Sequence, residues 1–121
     1  MLSKDQLEFA KTNPKEFLLQ YNDLSIRIKR ILSEMEFEEE AGASSDRMKN
    51  LLSEAKKAKA EREELYNLVN NLPIDEIYKY ILTSHYLNGK TVREIANELN
   101  YNYRWVFRLQ NRAVKAFSDA I

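Results

Sequence analysis

Four cations, Arg104, Arg108, Arg112 and Lys115, recur at steps of 4, 4 and 3, and no acid interrupts them between Leu99 and Ser118. On a helix of 3.6 residues per turn this spacing draws a single stripe. Arginines in such a stripe can grip a guanine edge with two parallel hydrogen bonds, and either cation can neutralise phosphates. On most amphipathic helices the same pattern is only a solvated face. What gives it weight here is the company it keeps. Val106, Leu109, Ala113 and Phe117, at steps of 3, 4 and 4, mark an inward face on the other side of the same segment.

The residues just before the stripe carry their own, independent signals. Thr91 and Glu94 have the T-x-x-E spacing of a capping box and open a short helix, Val92–Leu99. Ile95 and Leu99 face inward, and Ala96 is small where two helices must approach. Asn100 stands where a tight turn needs a left-handed residue, the role asparagine fills best after glycine. Tyr101 is expected to return an apolar group to the core. Asn102 is a good N-cap for the last helix, Tyr103 to about Ala120. Two helices joined in this way make a helix-turn-helix, whose second helix enters the major groove of double-stranded DNA by its N-terminal end. Arg104 and Arg108 are then the candidates for base contacts, and Tyr103 can meet a base or a thymine methyl. Arg112 and Lys115 lie further along and suit phosphates, as do Asn102, Thr91 and Lys90 near helix N-termini. Trp105 sits one position off the inward face, where it can pack, cover the helix flank or meet a partner.

From residue 71 to 117 the chain reads NLPIDEIYKYILTSHYLNGKTVREIANELNYNYRWVFRLQNRAVKAF. Its later part resembles region 4 of sigma-70-type factors, the module that reads the −35 promoter element. The whole stretch is similar to phage and prophage regulators of the ArpU-like type, with YRWVFRLQNRAVK its most specific part. The resemblance implies a transcription regulator with an N-terminal helical hairpin and a sigma-70 region 4-like helix-turn-helix. It implies base contacts from the first turns of the last helix, at Tyr103, Arg104 and Arg108. These side chains differ from the sigma pattern, so −35 recognition does not follow. There is no room for a domain that melts the −10 element, which points to an activator or accessory factor, with RNA polymerase as a possible partner.

The rest of the chain must position this unit. Its 121 residues are 44% hydrophobic and 31% charged, with two Gly and two Pro, a balance that predicts an all-α protein. Net charge is zero, so any nucleic-acid affinity must be local. There is no cysteine, which excludes disulfides and cysteine zinc sites. No signal peptide and no membrane-spanning run is found, and a cytoplasmic location without membrane attachment is expected. His85, the single histidine, has no partner at ligand spacing and reads as packing. No Gly-rich phosphate loop and no nucleophile motif occurs. Neither catalysis, cofactor nor metal is expected.

Two domains are expected, 1–72 and 73–121. Ser3 and Gln6 form a first capping box for a helix over about 4–11, with Leu2 and Leu7 as a staple, and Asn13 caps the next helix with Pro14 at its first position. Phe17, Tyr21, Leu24, Ile28, Ile31 and Met35 then fall at steps of 4, 3, 4, 3 and 4, a heptad seam. The acidic run over 34–40 opposes the helix dipole and should fray. After a loop capped by Ser45 or Asp46, Met48, Leu51, Ala55, Ala58, Arg62, Leu65, Val69 and Leu72 make a second seam. Folding about residue 43 gives an antiparallel hairpin. It sets Met35 against Leu52, Ile31 against Ala55, Ile28 against Ala58 and Tyr21 against Leu65. Leu24 faces Arg62, which snorkels or marks an opening of the seam. Pro73 ends this hairpin, and 74–87 forms a helix with Ile74, Ile77, Tyr78, Ile81, Leu82 and His85 on one face, closed by Gly89 in the left-handed region. Leu18, Leu32, Phe37 and Leu68 flank the seams as exposed apolar groups, which suggests a homodimer through the hairpin. Two other readings fit the same residues. One is a small terminase-type DNA-packaging protein. The other is a protein-interaction module that binds polymerase or a host factor.

Overall fold

A computed structural model describes residues 2–42 and 44–121; Ala43, the expected pivot of the hairpin, lies outside the described residues. The described chain is all-helical, with no strand. Its α-helices are α1 (Lys4–Thr12), α2 (Pro14–Glu40), α3 (Ser45–Asn71), α4 (Glu76–Leu82), α5 (Val92–Leu99) and α6 (Tyr103–Ala120); α4 runs on into a π-helical turn, Thr83–Leu87.

Local chemistry explains most boundaries. Ser3 and Gln6 close their capping box over the first turn of α1. Pro14 begins α2, where its missing N–H would be unpaired in any case, but the Asn13 side chain makes no capping bond. Ser44, rather than Ser45 or Asp46, caps α3: its hydroxyl accepts from the Arg47 N–H. The acidic end of α2 stays helical to Glu40, and Glu38 lies 3.9 Å from Arg47.

The two long helices pack side by side in opposite directions. Near the turn, Ile31, Leu51 and Ala55 form a small buried cluster. Met35 packs against that cluster, while Leu52, its expected partner, is 43% exposed. Further down, Tyr21 shares a core with Leu65 and Val69. Between these layers the seam opens at Arg62. Its guanidinium leaves the helix pair to donate a 3.0 Å hydrogen bond to the Asn88 side chain, and a cleft of about 390 Å³ lies beside it.

The main core crosses the Leu72–Pro73 boundary. Phe17 and Leu18 of α2, Leu65 and Val69 of α3, and Ala113, Val114 and Phe117 of α6 are buried in one cluster. The Phe17 and Phe117 rings stack at 6.1 Å, and Tyr21 meets Phe17 edge-on at 5.2 Å. Leu18, expected at an exposed flank, is fully buried, because α2 meets α1 and α6 as well as α3. Leu68 is half-buried, and Leu32 and Phe37 remain exposed. A second core joins Ile81 of α4 to Ile95 and Ala96 of α5 and to Val106 and Leu109 of α6.

The segment 83–87 departs from the expected α-helix. The Asn88 N–H bonds to the Thr83 carbonyl, five residues back, so each turn here holds an extra residue. That shift brings Tyr86 and Leu87 inward, and both are buried. Ser25 of α2 fastens the end of this turn by donating to the Leu87 carbonyl. No described helix is long and apolar enough to cross a membrane.

Candidate nucleic-acid interface

α5 and α6 are joined by a turn whose geometry follows its side chains. Thr91 caps α5: its hydroxyl accepts from the Glu94 N–H at 3.1 Å, and the Glu94 carboxylate accepts from the Thr91 N–H. Asn100 ends the helix at φ 57 and ψ 42, the left-handed region. The Tyr101 N–H returns to the Ala96 carbonyl at 2.9 Å, and the Asn102 side chain accepts from the Arg104 N–H at 2.8 Å. The Tyr101 side chain, however, is 44% exposed and does not re-enter the core. Ala96 and Val106 already bring the two helices together, and the left-handed turn points residue 101 outward.

The loop before α5 is fixed from below. His85 donates from Nδ1 to the Lys90 carbonyl at 2.8 Å, since a carbonyl can only accept. The single histidine is thus a loop brace. Gly89, at φ +70, supplies the expected left-handed residue.

α6 sets its apolar positions inward: Val106, Ala113 and Phe117 are fully buried and Leu109 nearly so. Arg104, Arg108, Arg112 and Lys115 stand exposed along the other side. Among the described residues no carboxylate forms an ion pair with any of the four. Arg112 folds back over Trp105, with its guanidinium carbon 5.3 Å from the ring centroid, which gives the indole a partner on the flank of α6.

The remaining expected contacts fare differently. Tyr103 is 45% exposed at the start of α6. Asn102 and Thr91 spend their side-chain oxygens on capping. The Lys90 ammonium is held 2.8 Å from Glu98, whose carboxylate also accepts from the Tyr80 hydroxyl. The Lys90 bond, then the Tyr80 bond, hold Glu98 below the usual carboxylate range, and the same carboxylate raises Lys90. Lys90 is therefore already in an ion pair, whereas no residue of the α6 stripe is in one among the described residues.

One residue of this surface escapes sequence reasoning. Arg93, in the first turn of α5, lies over the Tyr103 ring at 5.0 Å. It adds a cation beside the N-terminal end of α6. Its position in an ordinary T-x-x-E helix start carries no mark of this; only the crossing of α5 and α6 brings it to Tyr103.

Comparison with protein-family models, with curated proteins and with solved structures finds no match to this chain.

Proposed function

We propose that this chain is a sequence-specific DNA-binding transcription regulator of the phage or prophage type. In this reading α5, the turn and α6 are a sigma-70 region 4-like helix-turn-helix, and residues 14–71 are the hairpin that braces it. The observation that carries the reading is the exposed cation stripe of Arg104, Arg108, Arg112 and Lys115 on α6, in no ion pair among the described residues and directly behind a left-handed turn and an asparagine cap.

The N-terminal end of α6 enters the major groove, with Arg104 and Arg108 toward base edges and Tyr103 beside them. Arg112 and Lys115 meet phosphates, and Arg93 joins them from α5. Thr91 and Asn102 serve the site as caps that aim the helices and expose their remaining backbone N–H groups to phosphate. The chain as a whole has no net charge, which keeps nonspecific attraction low, so binding rests on this one face.

The test is selection of bound duplexes from a random library at two salt concentrations, with wild type and Arg108→Ala side by side. An enriched motif that the variant loses supports the reading. Weak, salt-sensitive binding with no motif in either protein contradicts it.

Trp105 and Phe107, 40% and 51% exposed on either side of the stripe, favour a second reading in which this face docks a protein such as polymerase. Stripe variants that keep full function in the cell would select it.

A further inference from the structure

α2 carries a second heptad line that the hairpin does not use. Leu19, Asp23, Ile26, Arg30, Ser33 and Phe37 fall at steps of 4, 3, 4, 3 and 4, offset by two from the seam that packs on α3. All six are exposed, and Ile26 and Phe37, at 59% and 68%, are the most exposed large apolar side chains described.

The charges beside this line divide along it. Arg27 and Lys29 flank it on one side of its midpoint, and Glu34 and Glu36 on the other. Among the described residues none of these four forms an ion pair within the chain. Such a line is complementary to itself when reversed. An antiparallel copy related by a two-fold axis near residues 31 and 32 sets Ile26 against Phe37 and Arg30 against Ser33. The same register brings Arg27 opposite Glu34 and Lys29 opposite Glu36, each pair occurring twice. A parallel, in-register pairing would instead stack Arg30 on Arg30 and Asp23 on Asp23 within the line itself.

We infer that the outer face of α2 pairs with the same face of a second copy of this chain, antiparallel, over residues 26–37. Beyond these limits Asp23 approaches Glu40, a like-charge contact that ends the paired stretch. Twelve helical residues extend about 18 Å. Such a contact falls below the roughly 1,200 Å² of a stable interface, so the dimer is weak and forms with rising concentration. The inference does not depend on DNA binding, since it uses no residue of α5 or α6.

Sedimentation velocity over a concentration series, without DNA, tests it. Wild type should pass from monomer to dimer. Arg27→Glu with Lys29→Glu in one chain, and Glu34→Lys with Glu36→Lys in another, should each weaken association by about tenfold or more, because four attractive pairs become repulsive. Mixing the two variants should restore a heterodimer, because all four flanking pairs become attractive again. Circular dichroism confirms that each variant is folded, as these side chains are exposed. A monomer at every concentration overturns the inference, as does a dimer indifferent to the reversals or a mixture that fails to associate.

Discussion

The Ser25 hydroxyl donates a 2.6 Å hydrogen bond to the carbonyl oxygen of Leu87, 62 residues away in sequence. It joins the middle of a long hairpin helix to the end of the π-helical turn that precedes α5. The segment that leads into α5 and α6 is thereby fixed to α2 by a polar contact as well as by the shared core.

Ser25→Ala should therefore destabilise the protein by about 1–2 kcal/mol, because the partly buried Leu87 carbonyl loses its donor. Denaturant unfolding measures this. An unchanged midpoint would mean that water replaces the hydroxyl and that the bond adds no net stability.

Asn100 supplies the one non-glycine residue with positive φ in the described chain. Asn100→Gly should be tolerated within a few tenths of a kcal/mol, while Asn100→Val should cost about 1–2 kcal/mol from the clash of a branched side chain in the left-handed region. Thermal unfolding of the pair separates them. Equal stabilities would show that the turn relaxes to another conformation.

Arg108 and Lys115 should behave differently if the stripe reads DNA. Arg108→Ala should relax discrimination at one base pair, at about 1–3 kcal/mol, and Lys115→Ala should weaken all sequences alike and lower the salt slope by about one. Equal, sequence-blind losses from both changes would remove the assignment of roles.

Arg93 tests the surface that only the tertiary structure assembles. Arg93→Ala should reduce DNA affinity, whereas Tyr103→Phe should keep the guanidinium in place, because the ring and not the hydroxyl attracts it. Binding isotherms at fixed salt give the comparison; full affinity in Arg93→Ala would confine the interface to α6.

Alkaline pH should destabilise the fold through its buried tyrosines. Burial, and then the carboxylates of Glu64 and Glu61, push the Tyr21 hydroxyl up from 10.0 to about 12. Burial raises Tyr86 as well. The unfolded chain thus gives up these protons first. The stability they contribute is complete below pH 10 and is lost as pH rises toward about 12. Tyr21→Phe should flatten that decline in denaturation measured across the window, and an unaltered slope would assign it elsewhere.

Much of this architecture can be read along the chain because it is governed by neighbours in sequence. The capping boxes at Ser3 and Thr91, the left-handed Asn100 and Gly89, and the Asn102 cap each rest on bonds spanning a few residues. The heptad seams of α2 and α3 follow from helical periodicity, and so does the exposed stripe on α6. Tyr101 shows where local reasoning stops. Its type suits a core, but α5 and α6 already fill the space between them, and its side chain is left in solvent.

What the sequence by itself determined is the set of helices and the face each one buries, since both are properties of a single segment. The tertiary structure decided what meets those faces. It buried Leu18 in the core that α2 shares with α6, turned Arg62 away from its seam to Asn88, wound 83–87 into a π turn, and set Arg93 on Tyr103. Each depends on how two or more helices compete for the same space, and periodicity within one helix holds no information about that competition.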